Sequence, residues 1–313
     1  MNNIKRALIS VWDKTDIDIL AKKLTDIGIE IISSGGTARF LREKGVPVKD
    51  VSEITEFPEM LDGRVKTLHP KIHGGLLAIR SNKKHMESLK TENINPIDLI
   101  IVNFYPFEEV IKSENISFQE VIENIDIGGP TIVRAAAKNF QDVSVIVDTS
   151  DYKRVIDRIS DGALEVDKEF NYNLCKKAYS YVAKYDAAIS NHLGILNTDN
   201  SKNKIPDTLT LHYKKSFNLR YGENPHQTGA RYRFTHGSGW WDSATIHQGK
   251  EMSYLNVYDT EAAWDLVNSL AADGPAAVVM KHANPCGAAL GSTIQEAYAR
   301  ACTSLPSTGS GQG

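Results

Sequence analysis

Apolar and polar positions follow two periods along the first 150 residues. The runs "RALISVW" (6–12), "IEIIS" (29–33), "IDLIIVNFY" (97–105) and "VSVIV" (143–147) read as strands, and "VPVKDVS" (46–52) as a weaker one. Between the first two runs Ile17, Leu20, Ala21, Leu24 and Ile27 recur at helical spacing, and Gly28 falls where a helix C-terminal glycine belongs. Further helices are expected at "ARFLREKG", around 82–91, after the Ser117/Glu120 capping-box pair, and from "GGPTIVRAAAKN" (128–139). The 97–105 run is apolar on both faces, as a central parallel strand requires. Strands alternating with helices predict an α/β fold with an open, mostly parallel sheet. Ligands of such sheets bind beyond the carboxyl ends of the strands. The turns "SVWDKT", "SSGGTA" and "NFYPF" should therefore share one rim.

From 150 to 194 the pattern is helical, and its Tyr and Phe residues read as packing. The polar stretch "NTDNSKNKIPDT" (197–208) is the expected linker. A second unit follows, with a helix near 258–271, a strand at 276–282 ending before a Pro/Gly turn, and a helix near 293–302. The chain closes on the Gly/Ser-rich "PSTGSGQG", read as a flexible tail. The expected domains are 1–195, a linker over 196–208, 209–302, and a tail over 303–313.

Composition narrows the chemistry. With 24% charged residues and a net charge of −3, no general basic field draws nucleic acid to the surface, so anion binding must be local. No apolar run approaches the ~20 residues that span a bilayer, and no membrane association is expected. The N-terminus has no signal-peptide core. Cys175, Cys286 and Cys302 are scattered and odd in number, which suits a reducing compartment, and the cytoplasm is the expected location.

A local cluster is "GRVKTLHPKIHGG" (63–75). It carries Arg64, Lys66, His69, Lys71 and His73, and its glycines and proline make it read as an ordered loop, neither helix nor strand. Arg64 offers a planar fork for phosphate oxygens, Lys66 a movable charge and Thr67 a hydroxyl. His69 and His73 straddle Pro70 without a carboxylate partner, so no metal site is expected there. "SSGGTA" places Ser34, Gly35, Gly36 and Thr37 between a strand and a helix, where free backbone N–H groups receive anions. It lacks the spacing of nucleoside-triphosphate or dinucleotide loops. Asn103 and Tyr105 should emerge at the rim, and Asp126 precedes a Gly-Gly helix start. In the second unit Lys281 and His282 pair a cation with a potential base at a strand end, while Arg220 and Tyr221 pair a cation with an aromatic.

Eight ordered motifs carry a resemblance over residues 4 to 301: "SVWDKT", "SSGGTA", "EMLDGRVKTLHPKIHGG", "NFYPF", "IDIGGPTIVRAAAKN", "LRYGENPHQ", "GKEMSY" and "KHANPCG". They resemble the bifunctional purine-biosynthesis PurH family, which joins inosine monophosphate cyclohydrolase to phosphoribosylaminoimidazolecarboxamide formyltransferase. The resemblance implies a methylglyoxal-synthase-like domain followed by part of a cytidine-deaminase-like α/β formyltransferase region. It implies Ser10, Lys14, Ser34, Gly35, Gly36, Thr37, Arg64 and Thr67 around a nucleotide phosphate. Lys66, Tyr105, Asp126 and Lys138 would surround the closing ring, with Asn103, Ile127 and Gly128 as substrate contacts. In the second unit Lys281 and His282 match the catalytic pair, and Arg220 and Tyr221 the nucleotide contacts.

The resemblance further implies a small ribonucleotide substrate, no cofactor for ring closure, 10-formyltetrahydrofolate as cosubstrate of formyl transfer, and a possible homodimer. The ending "CTSLPSTGSGQG" departs from the family pattern, so formyl transfer is expected to be absent or impaired. A reading from another class is a non-catalytic module that binds a phosphorylated effector. Such a module needs the 34–37 loop and Arg64, but not Lys66, Tyr105, Asp126 and Lys138 together.

Overall fold

A computed structural model of the chain describes residues 3–113, 116–159, 164–165, 167–199, 201, 203–234 and 239–303. The backbone groups into two units, residues 1–210 and 211–313.

The first unit is built on a five-stranded sheet. Its strands are β1 (Arg6–Val11), β2 (Glu30–Ser33), β3 (Lys49–Asp50), β4 (Leu99–Asn103) and β5 (Ser144–Ile146). Their order is β3-β2-β1-β4-β5 and every neighbouring pair is parallel, with Ala7 opposite Ile31 on one side and Leu99 on the other. The chain winds outward from β1 to β3 and then crosses back to β4, so the winding reverses between β1 and β4. A ligand crevice opens at such a reversal, beyond the strand carboxyl ends.

Helices α1 (Ile17–Asp26), α2 (Gly35–Glu43), α3 (Val51–Thr55), α4 (Pro70–Leu77), α5 (Lys83–Thr91), α6 (Phe107–Val110), α7 (Phe118–Glu123), α8 (Gly128–Lys138), α9 (Tyr152–Ile156) and α10 (Lys168–Ile195) complete the unit. Leu8, Ile9, Ile100 and Ile101 at the sheet centre are fully buried, as are Ile17, Leu20 and Leu24 of α1. Each such side chain contributes roughly 1.5–3 kcal/mol of burial. Ala135, Ala136 and Ala137 of α8 and Ala178 of α10 are also buried, and small residues let these two helices approach closely.

Most expected elements of the first unit are present, and three differ. The weak third strand shrinks to Lys49–Asp50 because the Glu53 carboxylate reaches back to accept the Asp50 N–H at 2.8 Å, which starts α3 at Val51. The basic loop is half helix. Pro70 occupies the first helical position, where its missing N–H costs nothing, and His69 caps the end by accepting from the Lys71 N–H at 3.1 Å. Gly75 lies inside that helix because a Cβ there would come within 2.8 Å of the Asn95 carbonyl. Its glycine serves close packing, not chain reversal. The expected linker folds back on the end of α10. Asn191 exchanges hydrogen bonds with Thr210 at 2.7 and 2.9 Å, and Gly194 faces Pro206.

The second unit holds two hairpins, β6 (Tyr213–Leu219) with β7 (Gly229–Phe234) and β8 (Ala276–Lys281) with β9 (Asn284–Leu290). Its helices are α11 (Trp240–Ser243), α12 (Tyr254–Ala271) and α13 (Ile294–Thr303). The expected Pro/Gly turn at "NPCG" is instead the start of β9. The chain reverses one step earlier, at His282 and Ala283, both with left-handed φ of 53° and 56°, as a two-residue hairpin turn demands. Of the expected tail only Thr303 is described, and it closes α13; 304–313 lie outside the described residues.

Candidate active site

A cavity of about 1050 Å³ opens at the reversal between β1 and β4. Ser10 and Val102, opposite each other in the β1/β4 register, form its floor. Ser34 enters from the end of β2. Gly63, Arg64, Lys66 and Thr67 enter from the basic segment, and Asp126, Ile127, Gly128 and Gly129 from the start of α8. The N-termini of α2 and α8 thus both reach this space, and exposed helix N–H groups favour an anion there. The Ser34 side chain makes no capping bond at the start of α2.

The α8 end is tightly fitted. Asp126 Oδ1 accepts the Gly129 N–H at 3.0 Å, and the Asp126 N–H donates to the Tyr185 hydroxyl of α10 at 2.8 Å. A Cβ on Gly129 would lie 2.5 Å from Asp126 Oδ2 and 2.8 Å from Phe104, so only glycine fits. A Cβ on Gly128 would meet Thr67 Oγ1 at 3.1 Å. Burial raises the Asp126 carboxyl above the ordinary aspartate range, although the Gly129 and Gly128 N–H groups pull the other way. A carboxylate with a raised pKa is a better proton acceptor than an exposed one.

Lys66 sits over the α2 turn. Its Nζ is 3.1 Å from where a Cβ on Gly35 would stand, and Gly35 itself has a left-handed φ of 55°. The ammonium pairs with Glu59 at 2.6 Å. Arg64 grips Glu123 through both Nε and Nη2. The hydrogen bonds from Arg64 hold the Glu123 carboxyl below its usual range.

Several expected site residues are placed elsewhere. Thr37 is buried, and its hydroxyl accepts from the Val11 N–H at 3.1 Å and donates to the Val11 carbonyl at 2.9 Å, tying α2 to β1. It cannot also receive a phosphate oxygen without breaking that tie. Asn103 accepts from the N–H groups of Trp12 and Asp13, both at 2.8 Å, and so clamps the loop after β1. Lys14 donates to the Trp12 carbonyl at 3.3 Å in the same loop. Gly36 faces open space.

Tyr105 packs edge-on against Trp12, 4.8 Å between ring centroids, and neither lines the cavity. Lys138 is exposed at the far end of α8. Ten residues at ~1.5 Å each put it about 15 Å along the axis from Gly128. Of the four residues expected around the closing ring, Lys66 and Asp126 line this cavity and Tyr105 and Lys138 do not.

Four residues at this site escaped the sequence reading. Glu59 and Glu123 are acidic positions in a segment read for its cations. Tyr181 and Tyr185, one helical turn apart on α10, were read as packing. The Tyr181 hydroxyl accepts the Phe104 N–H at 3.2 Å, and burial pushes its phenol up to about 12. The i, i+4 spacing of two tyrosines on one helix face was the available signal.

In the second unit Arg220 and Tyr221 meet each other. The guanidinium lies 4.9 Å from the ring centroid and donates to the hydroxyl at 3.2 Å. Lys281 and His282 are exposed at the β8–β9 turn, where Asp259 accepts the Ala283 N–H at 2.7 Å. Among the described residues no cluster of His, Cys, Asp and Glu has the geometry to hold a metal ion, and no helix is long and apolar enough to cross a membrane.

The fold and cavity define an α/β domain with a cation-lined cavity beyond the strand carboxyl ends, and comparison with known proteins refines that class. Residues 16–131 match the MGS-like domain family. Residues 136–310 match the AICARFT/IMPCHase bienzyme family, a match that reaches into the stretch read from the sequence as a non-family tail. The solved structure of ForH is 32% identical, with a TM-score of 0.54 over 61% of this chain and 100% of that one. The chain belongs to the AICARFT/IMPCHase bienzyme family, a family of purine-biosynthesis enzymes.

Proposed function

We propose that the first unit is an inosine monophosphate cyclohydrolase that closes 5-formamidoimidazole-4-carboxamide ribotide to inosine monophosphate. One observation carries this reading: Lys66 and the raised-pKa Asp126 line the same cavity as Ser34, Arg64 and Thr67, in a chain of this family. The carboxamide nitrogen attacks the formyl carbon, the amide proton leaves, and the resulting carbinolamine loses water. Both reacting groups sit on one molecule, so holding the near-attack rotamer supplies much of the acceleration. The Lys66 ammonium stabilises the oxyanion on the former formyl carbon. Asp126 accepts the amide proton. The substrate phosphate occupies the end defined by Ser34, Arg64 and Thr67.

A module that merely senses phosphate explains less. A half-buried carboxylate beside an anion site weakens anion binding, and beyond its hydrogen bond to the Gly129 N–H proton transfer gives it a use that a sensor lacks. The decisive experiment is Lys66→Ala. Cyclisation, followed by the absorbance of inosine monophosphate, should fall at least a hundredfold. A loss within about threefold means that less than ~1 kcal/mol of barrier rested on this residue, and the assignment fails.

For the second unit the family suggests formyl transfer from 10-formyltetrahydrofolate, with His282 as base, Lys281 as its electrostatic partner, and Arg220 and Tyr221 on the nucleotide. Lys281, His282 and Arg220 are exposed, and electrostatic stabilisation is weak where water is not excluded. This chain by itself should therefore show no detectable formyl transfer. A turnover comparable to the cyclisation rate would refute that.

A further inference from the structure

Lys66 stands in the wall between two cavities. Its ammonium pairs with Glu59 Oε2 at 2.6 Å, and both side chains line a cavity of about 330 Å³ beside the large one. Lys66 also lines the large cavity, and Glu59 does not. The carboxylate therefore lies behind the ammonium as seen from the large cavity, and pairing has not withdrawn the cation from it.

The backbone is shaped around this pair. Met60 and Val65 bridge through N–H···O bonds of 3.1 and 3.3 Å, which brings the flanking residues 59 and 66 side by side. Gly63, with a φ of 92°, lies in the turn between them, and a Cβ there would strike Glu59 Oε1 at 2.6 Å. Gly35, at the start of α2, gives the other partner its room: a Cβ there would stand 3.1 Å from Lys66 Nζ. One glycine clears the carboxylate and the other the ammonium. A second pair in the same segment, Lys71 with Glu56, is a contrast, because neither of its residues lines either cavity.

We infer that Glu59 is a positioning residue for Lys66, anchoring the ammonium from the smaller cavity so that it stays at the wall of the larger one. The inference rests on the role given to Lys66 under the proposed function. A lysine carries its charge on a flexible four-carbon stem, and an unanchored one spreads that charge over many rotamers. An ammonium has three donors; Glu59 takes one and leaves the others for a reacting group. A developing oxyanion in the large cavity meets the cation at closer range than the carboxylate behind it, so the anchor does not cancel the field it directs. Glu59 touches no reacting atom and acts only through where it holds Lys66.

The test compares Glu59→Gln with Glu56→Gln, which breaks the neighbouring pair, both in the full chain at pH 7.5. Glu59→Gln should lower kcat for cyclisation about three- to tenfold with KM within about twofold, because ground-state binding stays and the placement of Lys66 is lost. Glu56→Gln should leave both constants unchanged. Trace acetylation with acetic anhydride, read by peptide mass spectrometry, follows the two pairs without any turnover. Lys66 should be labelled about two- to fivefold faster in Glu59→Gln, the worth of a partly exposed ion pair, and Lys71 no faster. A kcat within about twofold of the unaltered chain, a change confined to KM, or an equal loss in Glu56→Gln overturns the inference. So does an unchanged labelling rate at Lys66. Should the unaltered chain fail to cyclise, the proposed reaction falls by itself, and the labelling alone decides whether Glu59 anchors Lys66.

Discussion

The two units of this chain place their apolar residues differently. In the first, a parallel sheet is covered on both faces, and the apolar positions of its central strands β1 and β4 are all buried. In the second, α12 runs for 18 residues without a buried side chain, and among the described residues Ala297 and Ala301 are the only buried hydrophobic ones. The site residues differ in the same way. Asp126 is fixed by Tyr185 from a packed helix, and Thr67 by contact with Gly128. Lys281 and His282 sit on a turn secured by its own hairpin and by Asp259. A reactive side chain is held to a fraction of an ångström only where its supports are themselves buried.

That contrast can be broken or sharpened. The largest effect is expected at Asp126→Asn. Asparagine keeps the acceptor for the Gly129 N–H but cannot take up the proton, so cyclisation should fall by roughly 10²–10⁴-fold. Stability should move the other way. Because burial raises the Asp126 pKa in the folded state, the folded chain holds that proton more tightly than the unfolded one. The contribution is full below the ordinary aspartate range and is lost as pH rises through the raised value. The charged form therefore costs stability at neutral pH, and Asp126→Asn should raise Tm at pH 7.5 but not at pH 3.5. The cyclisation rate of the unaltered protein should climb over the same interval as the base form fills. Equal Tm changes at both pH values would remove the buried-carboxylate argument.

Next in size is the core. Leu8→Ala should cost about 2–5 kcal/mol of unfolding free energy, against under ~1 kcal/mol for Val279→Ala on the half-buried second hairpin. Matching losses in denaturant titrations would erase the difference between the units. Gly129→Ala should cost about 1–3 kcal/mol and impair cyclisation, because its methyl group meets Asp126 and Phe104. Gly239→Ala, whose methyl group meets nothing within 4 Å, should stay within ~0.5 kcal/mol. Among changes at the site the smallest effect is expected at Tyr185→Phe, which leaves the Asp126 N–H without its acceptor. It should cost about 0.5–1.5 kcal/mol and slow cyclisation a few-fold with little change in KM. A pure KM effect would show that Tyr185 does not act through Asp126.

Much of the fold was legible because its signals are local. The four long apolar runs became β1, β2, β4 and β5, the Ile17-to-Ile27 spacing became α1, and the Ser117/Glu120 pair capped α7. Misreadings fell where one residue type serves two purposes. Glycines at 74 and 75 looked like chain breakers, yet Gly75 serves a close helix contact. "NPCG" looked like a turn, yet His282 and Ala283 take that role just before it. The candidate site was legible in part: Arg64, Lys66, Thr67, Asp126 and Ser34 share a cavity, while Thr37, Asn103, Tyr105 and Lys138 do not line it.

By itself the sequence determined the succession of strands and helices, the parallel winding, and the concentration of cations and glycines at the strand carboxyl ends. These follow from periodicity and residue type, which act over a few neighbouring positions. Only the tertiary structure decided which of those side chains meet. Thr37 was turned inward by a vacant pair of groups on Val11. Lys138 was carried out of reach by the rise of its own helix. Glu59 and Glu123 were brought onto the cations by a hairpin bridge and by packing across 59 residues of chain. Cavity membership depends on direction and distance in three dimensions, and a one-dimensional pattern carries neither.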